Sequence, residues 1–160
     1  MNDQEWMALA LDEARAAMEF AEIPVASILV GDNKEIIRGQ TQVRRRGSIA
    51  AHGELYAILD AKAEVYKYES LTIYTTLEPC LMCVGAGMQA GVKRYVFGMK
   101  AAPDGAANMT GSLAKSGFEV PDIVGGVLEM EEVALMREFA SQFPDSPALP
   151  YVDAMLAIYS

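Results

Sequence analysis

One histidine and two cysteines, His52, Cys80 and Cys83, are the only residues of their kinds in this 160-residue chain. Imidazole nitrogen and thiolate sulfur suit a borderline-soft cation, and one nitrogen with two sulfurs points to zinc. Three such ligands leave one tetrahedral position open, which marks a catalytic site rather than a structural one. An ion held this way lowers the pKa of bound water to about 7. Glu54 stands two residues after His52, one step beyond the ligands. It can accept a proton from that water and pass it to a leaving group. Two other readings fit some of the same residues. Cys-x-x-Cys opening a helix also occurs in thioredoxin-like redox sites, which would leave His52 and Glu54 without a role. A structural zinc site would take Glu54 as its fourth ligand. Replacing Glu54 by Gln separates the two zinc cases: a proton carrier loses turnover and keeps zinc, whereas a ligand loses zinc.

Local sequence predicts the elements that must bring these residues together. Apolar residues at helical spacing from Trp6 to Ala21 predict a first helix, capped by Asn2 or Asp3 and closed by Pro24. Val25–Val30 and Glu35–Gly39 read as strands joined by turn residues Gly31-Asp32-Asn33. Thr41–Ser48, which contains Arg44, Arg45 and Arg46, reads as a polar loop. A helix opens near His52, and a β-rich run over Leu71–Thr76 is stopped by Glu78-Pro79. A short apolar helix runs from Cys80 to Ala90 and ends at Gly91. Arg94–Gly98 is the next strand, so strand, helix and strand form a right-handed βαβ unit with parallel strands. A weaker strand follows at Asp122–Val127, an amphipathic helix at Glu129–Gln142, and a last helix at Tyr151–Tyr159. His52 and the cysteines thus begin two helices whose N-termini lie on one edge. Those ends favour thiolates through unpaired N–H groups and the helix dipole. The fold class expected is α/β in three layers, a mixed central sheet of about five strands with helices on both faces.

Composition bounds the rest. With 52% hydrophobic residues the chain can build a core, so it is not disordered. No apolar run is long enough to span a bilayer, and the acidic N-terminus lacks a secretory pattern, so a cytoplasmic protein is expected. The 13 basic and 22 acidic residues give a formal charge of −9. That charge repels phosphate backbones, so nucleic acid is expected not to be a partner. Ten methionines read as core filling.

The spacing His52-Gly53-Glu54 followed by Pro79-Cys80-Leu81-Met82-Cys83 resembles the zinc-dependent cytidine/nucleobase deaminase superfamily, whose H-x-E…P-C-x-x-C signature is specific. Ala57-Ile58, the lead-in Thr75-Thr76-Leu77-Glu78, the segment Glu22-Ile23-Pro24-Val25 and Val96-Phe97-Gly98 extend the resemblance over roughly residues 5 to 140. The histidine ligand is similar to the branch holding tRNA adenosine, guanine, fungal cytosine and deoxycytidylate deaminases. The resemblance implies a cytidine deaminase-like fold, with His52, Cys80 and Cys83 holding Zn2+ and Glu54 shuttling protons. It implies attack of zinc hydroxide on an amidine-like ring carbon with loss of ammonia. It also implies a substrate pocket that includes Gly53, Glu78, Pro79 and Ala26. Thr41 stands where the family often has a base-binding Asn, and its hydroxyl cannot make the same paired hydrogen bonds. Residues 1–160 are expected to form one zinc deaminase domain. The Pro-bounded segment 144–160 is a candidate cover for the site, with Tyr151, Asp153 and Phe118 as lid residues.

The expected reaction is removal of an exocyclic amino group from a small heterocycle, with water as the second reactant. Gly53, similar to fungal cytosine deaminase, and the acidic charge favour cytosine or a related nucleobase or nucleoside. Guanine and tRNA adenosine-to-inosine deamination are the alternatives, and the non-enzymatic alternative is a degenerate zinc-binding module. No membrane partner is expected, and the resemblance implies a homodimer.

Overall fold

The computed structural model describes residues 1–160, apart from the side chain of Ser116. Helix α1 (Asp3–Ala17) starts at an Asn2 cap. The Asn2 side chain accepts from the Glu5 amide and the Glu5 carboxylate accepts from the Asn2 amide, so two otherwise unpaired donors are satisfied at once. The helix stops before the sequence suggests. A 3-10 turn covers Met18–Phe20, and Ala21 adopts a left-handed conformation, φ 54°, three residues ahead of Pro24.

Strands β1 (Ala26–Gly31) and β2 (Lys34–Gln40) form an antiparallel hairpin. Asp32 and Asn33, at φ 47° and 61°, supply the two left-handed residues that a tight two-residue hairpin turn needs. The Trp6 indole then donates to Asn33 Oδ1 at 2.9 Å and docks α1 on the turn. Where a loop is expected after β2, Val43–Arg46 forms a one-turn helix, α2. The buried Glu22 carboxylate accepts from the Arg44 amide (2.9 Å), the Arg45 amide (2.7 Å) and Arg45 Nε (3.3 Å), and this organises the turn.

Helix α3 (Gly53–Ala61) precedes β3 (Leu71–Leu77), and α4 (Leu81–Ala90) joins β3 to its parallel neighbour β4 (Val92–Met99). A single-turn helix α5 (Thr110–Leu113) leads to the short strand β5 (Asp122–Val124), parallel to β4. Helices α6 (Glu129–Gln142) and α7 (Leu149–Leu156) complete the chain. The sheet order is β2-β1-β3-β4-β5. It is the five-stranded mixed sheet, helical on both faces, that the sequence implies.

Strand β1 is buried along its whole length because it alternates between two apolar layers. Ile28 and Val30 pack with Trp6, Met7 and Ala10 of α1, whereas Leu29 packs with Ala57 and Ala61 of α3. A third cluster joins α6 and α7 to the ends of β3 and β4, through Phe139, Met136, Val152, Met155, Leu77 and Met99. No helix is long and apolar enough to cross a membrane among the described residues.

Candidate metal centre and active site

His52 and Cys80 occupy equivalent positions, each the extended residue just before a helix: φ −83°, ψ 149° ahead of α3, and φ −77°, ψ 167° ahead of α4. Cys83 is the third residue of α4 and is fully buried. Helices α3 and α4 pack side by side, so both starts meet at one edge of the sheet. Their ligand atoms form a nearly equilateral triangle. His52 Nδ1 lies 3.6 Å from Cys80 Sγ and 3.5 Å from Cys83 Sγ, and the sulfurs are 3.6 Å apart. Tetrahedral coordination at ordinary zinc bond lengths requires roughly 3.8 Å between sulfurs and roughly 3.6 Å between sulfur and nitrogen. The donor set and its spacing therefore fit zinc. Among the described residues this is the one cluster of three such groups.

The charges around the triangle are tightly coupled. The Cys80 thiol is lowered to about 4, first by a hydrogen bond from Cys83 and then by His52. Cys83 is raised, because it donates to Cys80 and is buried. His52 is raised above its ordinary value, mainly by its hydrogen bond with Cys80, with a further contribution from the Ile49 backbone. Glu54, in the first turn of α3 and 3% exposed, is raised by burial, partly offset by its own backbone amide and by His52. A buried carboxyl beside a cation site is placed to accept a proton from one neighbour and pass it to another.

Close packing holds both ligand segments. A Cβ on Gly53 would stand 2.6 Å from the Gly39 carbonyl oxygen, and one on Gly39 would stand 2.1 Å from the Gly53 carbonyl oxygen. The start of α3 thus lies directly on β2. This contact explains Gly53 by packing and removes its weight as a sign of a cytosine-type substrate. Under α4, the buried Tyr95 hydroxyl donates to the Cys83 carbonyl at 2.8 Å. A Cβ at Gly87 would fall 1.9 Å from that hydroxyl. The Tyr95–Gly87 support escapes sequence reading because the two residues meet only across the βαβ crossover.

The remaining candidates fall in different places. Thr41 is buried, and its hydroxyl donates to the Ala51 carbonyl at 3.3 Å, one residue before His52. Ala26 is fully buried, and its amide donates to Thr76 Oγ1. The Pro79 carbonyl accepts from Ala106, and the Glu78 carboxylate accepts from the Ala101 and Ala107 amides. Tyr151 is half-buried and donates to Asp104 at 2.9 Å, whereas Asp153 and Phe118 are exposed. In the arginine run, Arg45 pairs with Glu22 and lies 4.3 Å over the Phe20 ring, and Arg46 lies 5.2 Å over Tyr56. A cleft of about 690 Å³ includes Phe97, Lys100, Ala107, Asn108, Gly125 and Tyr159 in its walls.

Comparison with known proteins agrees with this geometry. The profile of the cytidine and deoxycytidylate deaminase zinc-binding region matches residues 1–99. The tRNA-specific adenosine deaminase of Agrobacterium fabrum is 34% identical over 140 residues, 84% of this chain and 91% of that protein. The enzyme of the same name from Buchnera aphidicola is 39% identical over 98 residues, 60% of this chain and 65% of that protein, just under two thirds of its length. A solved structure from a study of A-to-I editing by tRNA:A34 deaminases superposes with a TM-score of 0.71 at 32% identity, covering 82% of this chain and 98% of that one. These relatives overturn the expectation that nucleic acid is not a partner. Net charge averages over the whole surface, whereas a polymer meets only the rim of the site.

Proposed function

This chain belongs to the cytidine and deoxycytidylate deaminase zinc-binding family, whose members are zinc-dependent hydrolytic deaminases, and from that premise we propose that it converts adenosine to inosine in the anticodon loop of a transfer RNA. The observation that carries the reading is the pairing of the His52–Cys80–Cys83 triangle with a chain-long similarity to tRNA-specific adenosine deaminases. The same similarity favours adenosine in RNA over free cytosine.

The net reaction adds water across the ring carbon that bears the amino group and expels ammonia. His52, Cys80 and Cys83 are the residues that would hold zinc. Bound there, zinc supplies Lewis acidity, which makes water a nucleophile near neutral pH. Glu54 takes up the proton released as water attacks and returns it to the departing amine. Its burial supports this role, since desolvation raises the carboxyl above its ordinary value and so favours proton uptake. The Gly53 and Gly39 contact fixes the start of α3, so the Glu54 carboxyl and the His52 ring keep one relative orientation.

The test is incubation of zinc-loaded protein with an anticodon stem-loop RNA carrying adenosine at its first anticodon position. The expected result is inosine at that position with stoichiometric ammonia. Inert stem-loop together with turnover of free cytosine or guanine would refute the assignment.

A further inference from the structure

The segment after β4 is tied down from two sides, and it touches one of the metal ligands. Gly105 forms an isolated antiparallel bridge with Cys80, and the Ala106 amide donates to the Pro79 carbonyl at 3.0 Å. From beneath, the Glu78 carboxylate accepts from the Ala101 amide (3.1 Å) and the Ala107 amide (3.0 Å), so it spans the whole loop. The fit is close, because a Cβ on Gly105 would stand 2.3 Å from the Glu78 carboxyl carbon. The C-terminal segment also reaches the loop, from α7 and from the 3-10 turn that follows it. Tyr151 Oη donates to Asp104 Oδ1 at 2.9 Å, and Tyr159 Oη accepts from the Lys100 amide at 2.8 Å while donating to Glu129 at 2.6 Å. Residues 100–107 are therefore bonded at both ends and along the middle, and the middle is what lies against Cys80.

We propose that Glu78 and Tyr151 are positioning residues that act through the 100–107 loop to hold Cys80 in place, so that the C-terminal helix is a working part of the metal centre. The inference rests on the zinc-site reading and not on the identity of the substrate. It assigns Glu78 away from substrate binding, since both of its oxygens are already engaged by the loop. It assigns Tyr151 a task that a lid would not have. A lid covers a site and leaves its metal unaffected, whereas a clamp changes how firmly the ligand is held. The nearness of Tyr151 to the triangle agrees with this. Its phenol is raised by burial and by Asp104, and then by the charges on Cys80 and Glu54. Groups that hold a ligand from outside the coordination shell commonly contribute about 10- to 100-fold to metal affinity.

The experiment measures the rate at which full-length, zinc-loaded protein gives up its metal to a chromogenic chelator, alongside the visible spectrum of the cobalt-substituted protein. The variants are Glu78→Gln, Tyr151→Phe, Asp104→Asn and Asp104→Ala. Glu78→Gln leaves one carbonyl acceptor where two amides need one each, and Tyr151→Phe removes the donor while keeping the ring. Both are expected to release zinc about tenfold faster and to weaken the thiolate-to-cobalt bands. Asp104→Asn keeps an acceptor for Tyr151 and is expected to behave as wild type, whereas Asp104→Ala should match Tyr151→Phe. Release at the wild-type rate in Tyr151→Phe, the mildest change and one that retains the fold, would overturn the proposal. Wild-type protein without zinc would sink the metal reading and this clamp together. Zinc-loaded protein that leaves the stem-loop RNA unchanged would sink only the substrate assignment, because zinc release is read without any substrate.

Discussion

Two buried glutamates show how environment divides identical side chains between chemistry and stability. Glu54 sits beside the ligand triangle, whereas Glu132 of α6 is fully buried, with the Thr76 hydroxyl near it but no hydrogen bond of ordinary geometry to either oxygen among the described residues. Glu54→Gln should keep about one zinc per chain and lower the deamination rate by roughly 10²- to 10⁴-fold, the usual weight of a general acid–base group. Metal analysis beside a single-turnover assay checks it, and loss of zinc would make Glu54 a ligand instead. For Glu132, burial holds the carboxyl well above its ordinary range. The folded chain therefore keeps a proton that the unfolded chain loses, and stability falls as pH rises from the unfolded value towards the folded one. Glu132→Leu removes an unsatisfied buried group and should stabilise the protein by about 1–3 kcal/mol at neutral pH. Urea denaturation at pH 5 and pH 8 should show the larger gain at pH 8, and an equal gain at both would refute the assignment. The motif residues could be read from the sequence because rare types at fixed spacing carry their own meaning. Glu132 could not, since a glutamate in an amphipathic helix ordinarily faces water.

At the level of elements, the site depends on helix starts being pressed against neighbouring backbone. Gly39→Ala would put a methyl group 2.1 Å from the Gly53 carbonyl oxygen and 2.8 Å from the Ala57 nitrogen, both main-chain atoms that cannot swing aside. A loss of about 1–3 kcal/mol is expected, with looser zinc binding because His52 adjoins the displaced turn. Thermal melts of apo and zinc-loaded protein test both parts, and an unchanged melt would show that α3 can shift freely. The opposite end of the sheet is tied by Asp3, which accepts two hydrogen bonds of 2.8 Å from Arg94 and one of 2.9 Å from Tyr74. The Arg94 guanidinium holds the Asp3 carboxyl below its ordinary value. This contribution is complete above the unfolded pKa and is lost as pH falls through the folded one. Asp3→Asn should therefore weaken the fold at neutral pH and flatten the fall in stability below about pH 4. Hydrophobic period located most elements to within a few residues. The exceptions were α2, the single turn α5 and the early end of α1; at α2 a buried carboxylate and at the end of α1 a left-handed alanine decide, and neither leaves a periodic signal.

At the level of the whole molecule, charge and the C-terminus set the limits. Arg45 is committed to Glu22, so few cations flank the site, with Arg44 and Arg46 ahead of α3 and Lys100 after β4. Binding of the stem-loop RNA should weaken with salt along a shallow slope, on the order of −2 to −3 in log–log form, as for a few phosphate contacts. A flat response would remove phosphate contacts from the account. Helix α7 buries Val152 and Met155 against Phe139 and Met136 of α6. Each fully buried side chain of this size contributes about 1.5–3 kcal/mol, so removing residues 143–160 should destabilise the fold by several kcal/mol. It should also speed zinc loss, because Tyr151 and Tyr159 go with the segment.

The sequence alone determined the reaction class, the ligand types and the layered fold, because rare residues at fixed intervals and apolar periods are local properties. Tertiary structure decided the rest: that Gly53 answers to Gly39, that Glu78 and Tyr151 both bond one loop, and that the Arg45 side chain serves a buried glutamate. Each of these depends on which distant segments meet, and only the closed sheet with its packed helices fixes those meetings.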